Sequence, residues 1–339
     1  MQDGEGLSPA LAALAAGAKR EAVPPFEVNI AKPDLRPWRE GNGLPGVWSF
    51  SAAASGPHIA VVALVHGNEI AGAAVLDRWL RAGLRPARGR LSLVFANMEA
   101  FGRFDPADPT ASRFVDEDLN RLWDESVLEG GRRSCELRRA RALRPFLDTV
   151  DVLLDLHSML WPSDPLILAG RTERARRLAL DLGVPPLVVG DHGHATGRRM
   201  IDYGGFAEAE GARVGLLVEA GAHWEAPTVS TMEATAAALL RRCGAVAPDD
   251  EVLPPPPATP AAARPCLAEV TRTVTATAPG FAFLRPYRGG EVVPERNTLI
   301  ALDGHAEIRT PHDDCLLVMP SLRTLPGHTA VRLARFVEG

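Results

Sequence analysis

The stretch LVHGNEIAG, Leu64 to Gly72, closes an apolar run that begins at Ile59, and it sets His66 and Glu69 three residues apart. HIAVVALV, His58 to Val65, is nearly unbroken by polar residues, which suits a strand covered on both faces. IAGAAVLDRWLRAG follows with apolar residues at helical spacing and stops near Gly83, and LSLVFANM, Leu91 to Met98, returns to strand character. A strand, a helix and a strand in that order predict a parallel crossover unit.

The alternation recurs. VDVLLDLHS, Val150 to Ser158, and PLILAG, Pro165 to Gly170, read as strands, RTERARRLALDLG as a helix, and ARVGLLVEAG, Ala212 to Gly221, as another strand. The expected fold class is α/β, an open and mostly parallel sheet with helices on both faces, whose ligands gather beyond the carboxyl ends of the strands. At EVLPPPPATPAAARP, Glu251 to Pro265, the prolines exclude a helix interior and predict an extended connector. The chain is therefore expected to comprise a main domain with an N-terminal extension over residues 1–250, a Pro-rich linker over 251–265 and a β-rich domain over 266–339. Short stretches such as EVTRTVTAT, EVVP, TLIAL and CLLVMP, between Gly, Pro and Asp turns, supply the strands of the last.

A chain of 339 residues can bury a substantial core, and 46% hydrophobic with 23% charged residues excludes general disorder and a membrane-embedded chain. The net charge of -5 offers no basic field for nucleic acid. Cys135, Cys243, Cys266 and Cys315 form neither a CxxC pair nor a disulfide framework, so reduced structural thiols are expected. Early acids in MQDGEG argue against a secretory signal, and LSPALAALAAG reads as a marginal surface helix. No segment reaches the roughly 18 apolar residues of a membrane span. The expectation is a cytoplasmic protein with neither a membrane nor a nucleic-acid partner, and with room for a homo-oligomer.

His66 and Glu69 alone carry little weight, because nine histidines in a Glu-containing chain produce roughly one HxxE by chance. Their position after a buried strand and before a helix strengthens them, since imidazole and carboxylate then converge above the sheet. A hydrolytic zinc site uses three protein ligands and keeps a place for water. His157, at the end of VDVLLDLH, is the candidate third ligand from the same sheet edge. Asp155, two residues earlier on the same strand face, either orients that imidazole or satisfies nearby backbone, with the structural role favoured. Glu219 ends the apolar strand in GLLVEAG, where a lone carboxylate is costly; it is either a salt-bridged structural acid or, beside such ligands, the base for an attacking water. SRFVDEDLNRLW, Ser112 to Trp123, adds planar guanidinium groups. Arg113 suits an oxygen gaining negative charge, and Asn120 with Arg121 suits a substrate carboxylate, the plainer alternative being a solvated loop with surface ion pairs.

Taken in order, HGNE (His66 to Glu69), DLNR (Asp118 to Arg121), DLHS (Asp155 to Ser158) and VEAG (Val218 to Gly221) resemble the succinylglutamate desuccinylase and aspartoacylase family, which is related to zinc carboxypeptidases. The motifs cover most of residues 58–221. The resemblance implies that His66, Glu69 and His157 bind one Zn2+ ion and that Glu219 is general base, then general acid. It also implies that Arg113 assists the carbonyl oxygen and that Asn120 and Arg121 recognise a carboxylate. The implied activity is zinc-dependent removal of an acyl group from an N-acyl amino acid or related small amine. The rival expectations are a zinc carboxypeptidase acting on peptides and a noncatalytic metal-dependent carboxylate-binding protein.

Outside these motifs, Tyr203 and Tyr287 are expected to pack rather than to select substrate. Arg198 and Arg199 stand where they can reach an anionic substrate. His192 and His194 read as exposed residues of a Gly-rich mobile loop without a second metal, and His223 as a surface-loop histidine. No GxSxG elbow marks a serine hydrolase, and the first strand-helix turn lacks the GxGxxG dinucleotide fingerprint.

Overall fold

The computed structural model describes residues 26–191, 193, 196–256 and 264–337, so the Ala-rich N-terminal segment and the His192 and His194 pair lie outside the described residues. Contacts divide the chain into two compact units, which include Val28–Val270 and Thr271–Arg335.

The first unit is built on strands β1 (Val47–Ser51), β2 (Ala54–Ala63), β3 (Arg88–Phe95), β4 (Val152–Met159), β5 (Leu166–Leu168), β6 (Leu187–Gly190), β7 (Val214–Ala222) and the start of β8 (Cys266–Thr275). Their order in the sheet is β1-β3-β2-β4-β7-β5-β6-β8. Neighbours run parallel except at β1/β3 and β5/β7, so the sheet is mixed but mostly parallel. The helices are α1 (Ile70–Arg81), α2 (Met98–Gly102), α3 (Glu125–Glu129), α4 (Cys135–Leu147), α5 (Glu173–Leu182) and α6 (Ala226–Arg242).

Chain direction explains where the crevice lies. From β2 the chain passes through α1 to β3 on one side, and from β3 through α4 to β4 on the other side of β2. Right-handed crossovers in opposite directions put α1 and α4 on opposite faces and leave a switch point at the carboxyl ends of β2 and β4. Ile59 to Val65 are all buried, with Val61 in register with Leu93 on one side and Leu154 on the other. Each buried Ile, Val or Leu of this run stabilises by roughly 1.5–3 kcal/mol. α1 docks closely on this sheet because of Gly72, where an added Cβ would come within 3.0 Å of Ala63 Cβ and 3.1 Å of Leu156 Cβ.

PLILAG, expected to continue the parallel theme, supplies only three strand residues and runs antiparallel to β7. Neither β1 nor β6 has a run long enough to stand out in the sequence, and tertiary pairing recruits both.

The second unit is β-rich. β9 (Ala282–Phe283), β11 (Leu299–Asp303) and β12 (Ala306–Arg309) form a sheet of order β12-β11-β9. β13 (Cys315–Val318) pairs with both β10 (Val292–Val293) and β14 (Thr329–Val337). Its core gathers Val274, Ile300, Leu317, Val331 and Leu333 with Tyr287, which packs edge-on to Phe283 at 5.8 Å. The four cysteines are free, and among the described residues no helix is long and apolar enough to cross a membrane.

Candidate metal centre

The chain leaves β2 through Leu64, whose φ of 62° lies in the left-handed region, a conformation costing about 1–2 kcal/mol for a side-chain-bearing residue. The turn is held by Asn97, whose backbone N–H donates to Leu64 O at 2.8 Å. Gly67 is required next, since a Cβ there would sit 2.4 Å from the carbonyl carbon of Ala100 in α2. Its N–H donates to Arg113 O at 2.9 Å, and the indole of Trp224 donates to Asn68 O at 2.8 Å. HGNE is thus clamped by three separate segments.

His66, Glu69 and His157 are all buried, and one donor atom from each lies within 4.8 Å of the others. The two imidazoles are arranged alike. His66 turns Nδ1 to Glu69 Oε1 at 2.7 Å and Nε2 to Asp118 Oδ1 at 3.0 Å. His157 turns Nδ1 to Glu69 Oε2 at 3.2 Å and Nε2 to Asp155 Oδ2 at 2.8 Å. Arg113 Nη2 also lies 2.9 Å from His66 Nε2, but that nitrogen cannot donate to Asp118 and accept from a guanidinium together. The carboxylate bond fixes a proton on Nε2, and the guanidinium is left to Glu69 Oε1 at 3.2 Å and Asp118 Oδ2 at 3.4 Å.

Burial opposes a charge on Glu69, yet the two imidazoles outweigh it and hold its carboxyl well below 4.5. Asp118 is likewise held well below 3.8, burial being outweighed by His66 and Arg113. For His157, burial opposes protonation and the carboxylates of Asp155 and Glu69 overcome it, raising the imidazole well above 6.5. This chemistry fits a divalent cation. Two imidazoles and one carboxylate, with an outer carboxylate within 3.0 Å of each Nε2, make a set that suits a divalent cation, which would take the place of the Nδ1 protons now turned to Glu69. Glu69, Asp118, Asp155 and Glu219 also outnumber Arg113, Arg121 and a protonated His157 as formal charges, an excess that a bound cation would neutralise.

Glu219 stands one strand away, in register with His157 across β4 and β7 and therefore on the same sheet face. It is buried, and its charge acts on Arg113. Asp155 shares that face two residues before His157, which explains how it reaches Nε2. In DLNRLW the apolar residues Leu119, Leu122 and Trp123 are buried anchors, and Asp118 Oδ1 accepts from Asn120 N–H at 2.8 Å. The Asn120 amide is itself committed, with Oδ1 accepting from Met200 N–H at 2.8 Å and Nδ2 3.5 Å from His157 Nε2. Arg121 donates from Nη1 to Asn120 O at 2.8 Å.

Arg199 departs from expectation: it is buried and bridges Asp191 and Asp202, each at 2.7 Å, so its guanidinium is a structural tie. Arg198 pairs with Asp124 at 3.2 Å and lines a cavity of about 530 Å3 with Glu125, Arg171, Asp202 and Glu208. Tyr203 is buried, donating to Asp148 Oδ1 at 2.8 Å and accepting from Arg144 Nε at 3.1 Å. His223 corrects the surface-loop reading. It is buried, Nδ1 lies 2.6 Å from Ser158 Oγ, and burial pushes its pKa down to about 4. Its one signal in the sequence is its place between Glu219 and the large apolar Trp224.

Comparison with known proteins bears on these motifs. The model of the succinylglutamate desuccinylase/aspartoacylase catalytic domain matches residues 55–241. A probable aspartoacylase of Parasynechococcus marenigrum is 39% identical over 108 residues, covering 30% of this chain and 33% of the relative. The aspartoacylase of Xenopus tropicalis is 30% identical over 109 residues, with the same two shares. The chain thus spans about a third of these relatives' length. Among solved structures, succinylglutamate desuccinylase from Vibrio parahaemolyticus superimposes with a TM-score of 0.65 over 87% of each chain at 18% identity. A succinylglutamate desuccinylase/aspartoacylase from Rhodobacter sphaeroides gives a TM-score of 0.61 at 18% identity, over 86% of this chain and 89% of that one.

Proposed function

Because the chain belongs to the succinylglutamate desuccinylase/aspartoacylase family, we propose that it is a zinc-dependent amidohydrolase that removes the acyl group from an N-acyl amino acid or a related small amine. The observation that carries this reading is the convergence of His66, Glu69 and His157, with Glu219 in register beside them. His66, Glu69 and His157 would hold the ion, which when bound supplies an acidified water and Lewis-acid polarisation of the scissile carbonyl.

The remaining roles belong to the chain. Glu219 takes a proton from the attacking water and returns it to the leaving amine, so one carboxylate serves as base and then acid. Arg113, held over Glu69 and Asp118 and with its pKa kept high by carboxylates although it is half-buried, faces the carbonyl oxygen as it gains negative charge. Arg121 adds positive charge for a substrate carboxylate. Asn120, fixed by Met200 N–H, keeps its amide directed beside His157.

The test is amine release from a panel of N-acyl amino acids beside a panel of short peptides, with metal-loaded and chelator-stripped protein. Turnover of the acyl amino acids by loaded protein alone, with about one zinc ion per chain, is the expected result. Preferential trimming of peptides would replace the deacylase by a carboxypeptidase, and tight binding without product would replace it by a binding protein.

A further inference from the structure

Arg113 reaches the cluster from a loop that has no strand or helix of its own, so its reach depends on what holds the loop. Glu136, the second residue of α4, is fully buried. Its Oε1 accepts from Asn97 Nδ2 at 3.0 Å and from Val115 N–H at 2.6 Å. Its Oε2 accepts from Asp116 N–H at 3.0 Å and Glu117 N–H at 3.3 Å. A carboxylate offers about four lone-pair sites, so this one is filled. Asp116 Oδ2 returns the contact by accepting from Cys135 N–H at 2.7 Å.

The bonds close a ring through the site. Asn97 caps α2 by accepting from Ala100 N–H at 3.2 Å, α2 lies against Gly67, and Gly67 N–H donates to Arg113 O at 2.9 Å. Residues 115–117 on one side and Gly67 on the other thus pin the backbone that carries the guanidinium.

We propose that Glu136 is a positioning residue for the reaction, holding the 113–118 loop so that Arg113 meets the carbonyl oxygen. This rests on the deacylase reading of Arg113. A glutamine at the same place presents an NH2 group to N–H donors, so Glu136→Gln releases part of the loop while keeping the side-chain volume. A displacement near 1 Å at a reacting group costs up to about a hundredfold.

The experiment is a double-mutant cycle of Glu136→Gln with Arg113→Ala, read as kcat, KM and zinc content. Glu136→Gln is expected to lower kcat about 10- to 100-fold with KM and metal content near wild type. In the Arg113→Ala background the same change should cost less than about threefold, because the arm it positions is gone. Asp116→Ala, on the exposed side of the same loop, keeps the test alive if Glu136→Gln fails to fold, and should show the same coupling at smaller size. Equal losses in both backgrounds, or kcat unchanged in the folded single variants, would overturn the proposal. An Arg113→Ala protein with wild-type kcat would instead sink the parent reading, and this role with it.

Discussion

The paired stretch of β2 and β4 has a buried histidine beyond each of its ends, His58 on β2 and His157 on β4, and the two ends behave in opposite ways. At the amino end, the ring of His58 meets neutral atoms, with Nδ1 donating to Thr149 O at 2.9 Å and Nε2 2.8 Å from Ser92 Oγ. Burial then dominates and lowers its pKa below 6.5, although the Thr149 carbonyl pulls the other way. At the carboxyl end, burial opposes a charge on His157 just as strongly in kind, but Asp155 and Glu69 reverse the outcome. Depth therefore does not make a histidine a ligand candidate. Carboxylates on both ring nitrogens do, because one fixes the tautomer and the other shares the cation.

Three measurements probe that contrast. The largest effect is expected at the carboxyl end itself, where Glu219→Gln should cut kcat about 10²- to 10⁴-fold while leaving the zinc content intact. Turnover at wild-type level would make Glu219 a structural acid, and the carboxyl end no more catalytic than the amino end. Next, Asp155→Asn removes the charge behind His157 and should weaken zinc about 10- to 100-fold in competition with a chelator. Unchanged affinity would mean that packing alone orients the ring.

The smallest effect concerns stability at the amino end. His58 is neutral in the fold and must take a proton when unfolded at acid pH, so the unfolded chain binds more protons and stability falls as pH drops below about 6.5 toward the depressed folded value. His58→Gln can still donate to Thr149 O and accept from Ser92 Oγ, but it cannot titrate. Denaturation midpoints taken from about pH 7.5 to about pH 5.5 should therefore fall less steeply in the variant than in the wild type. Parallel slopes would show that His58 titrates alike folded and unfolded.

How much of this was legible depended on what each residue stands next to in the chain. His66, His157 and Glu219 each close an apolar strand, so their polarity is conspicuous and their convergence follows from the rule that parallel strands share a carboxyl edge. Leu119, Leu122 and Trp123 flank Asn120 and Arg121 and betray a loop packed at its base. Glu136 had no such frame. It opens the arginine-rich helix CELRRARALRPFL, where a glutamate reads as a surface charge, and only the fold supplies the four N–H groups that bury it. Arg199 misled for the same reason, since its partners Asp191 and Asp202 are recognisable as such only when the segment is folded.

Periodicity, read from the residues in order, was enough to determine an α/β sheet, and strand-end polarity nominated side chains at its edge that only the resemblance of four motifs joined into one set, because both signals follow from local patterns and a fixed crossover hand. Tertiary structure alone decided which nitrogen each imidazole turns to Glu69, that His223 is buried beside Ser158, and that Glu136 holds the loop of Arg113. Those are matters of distance between residues far apart in the chain, and electrostatics and hydrogen bonding fall off too steeply with distance for sequence spacing to resolve them.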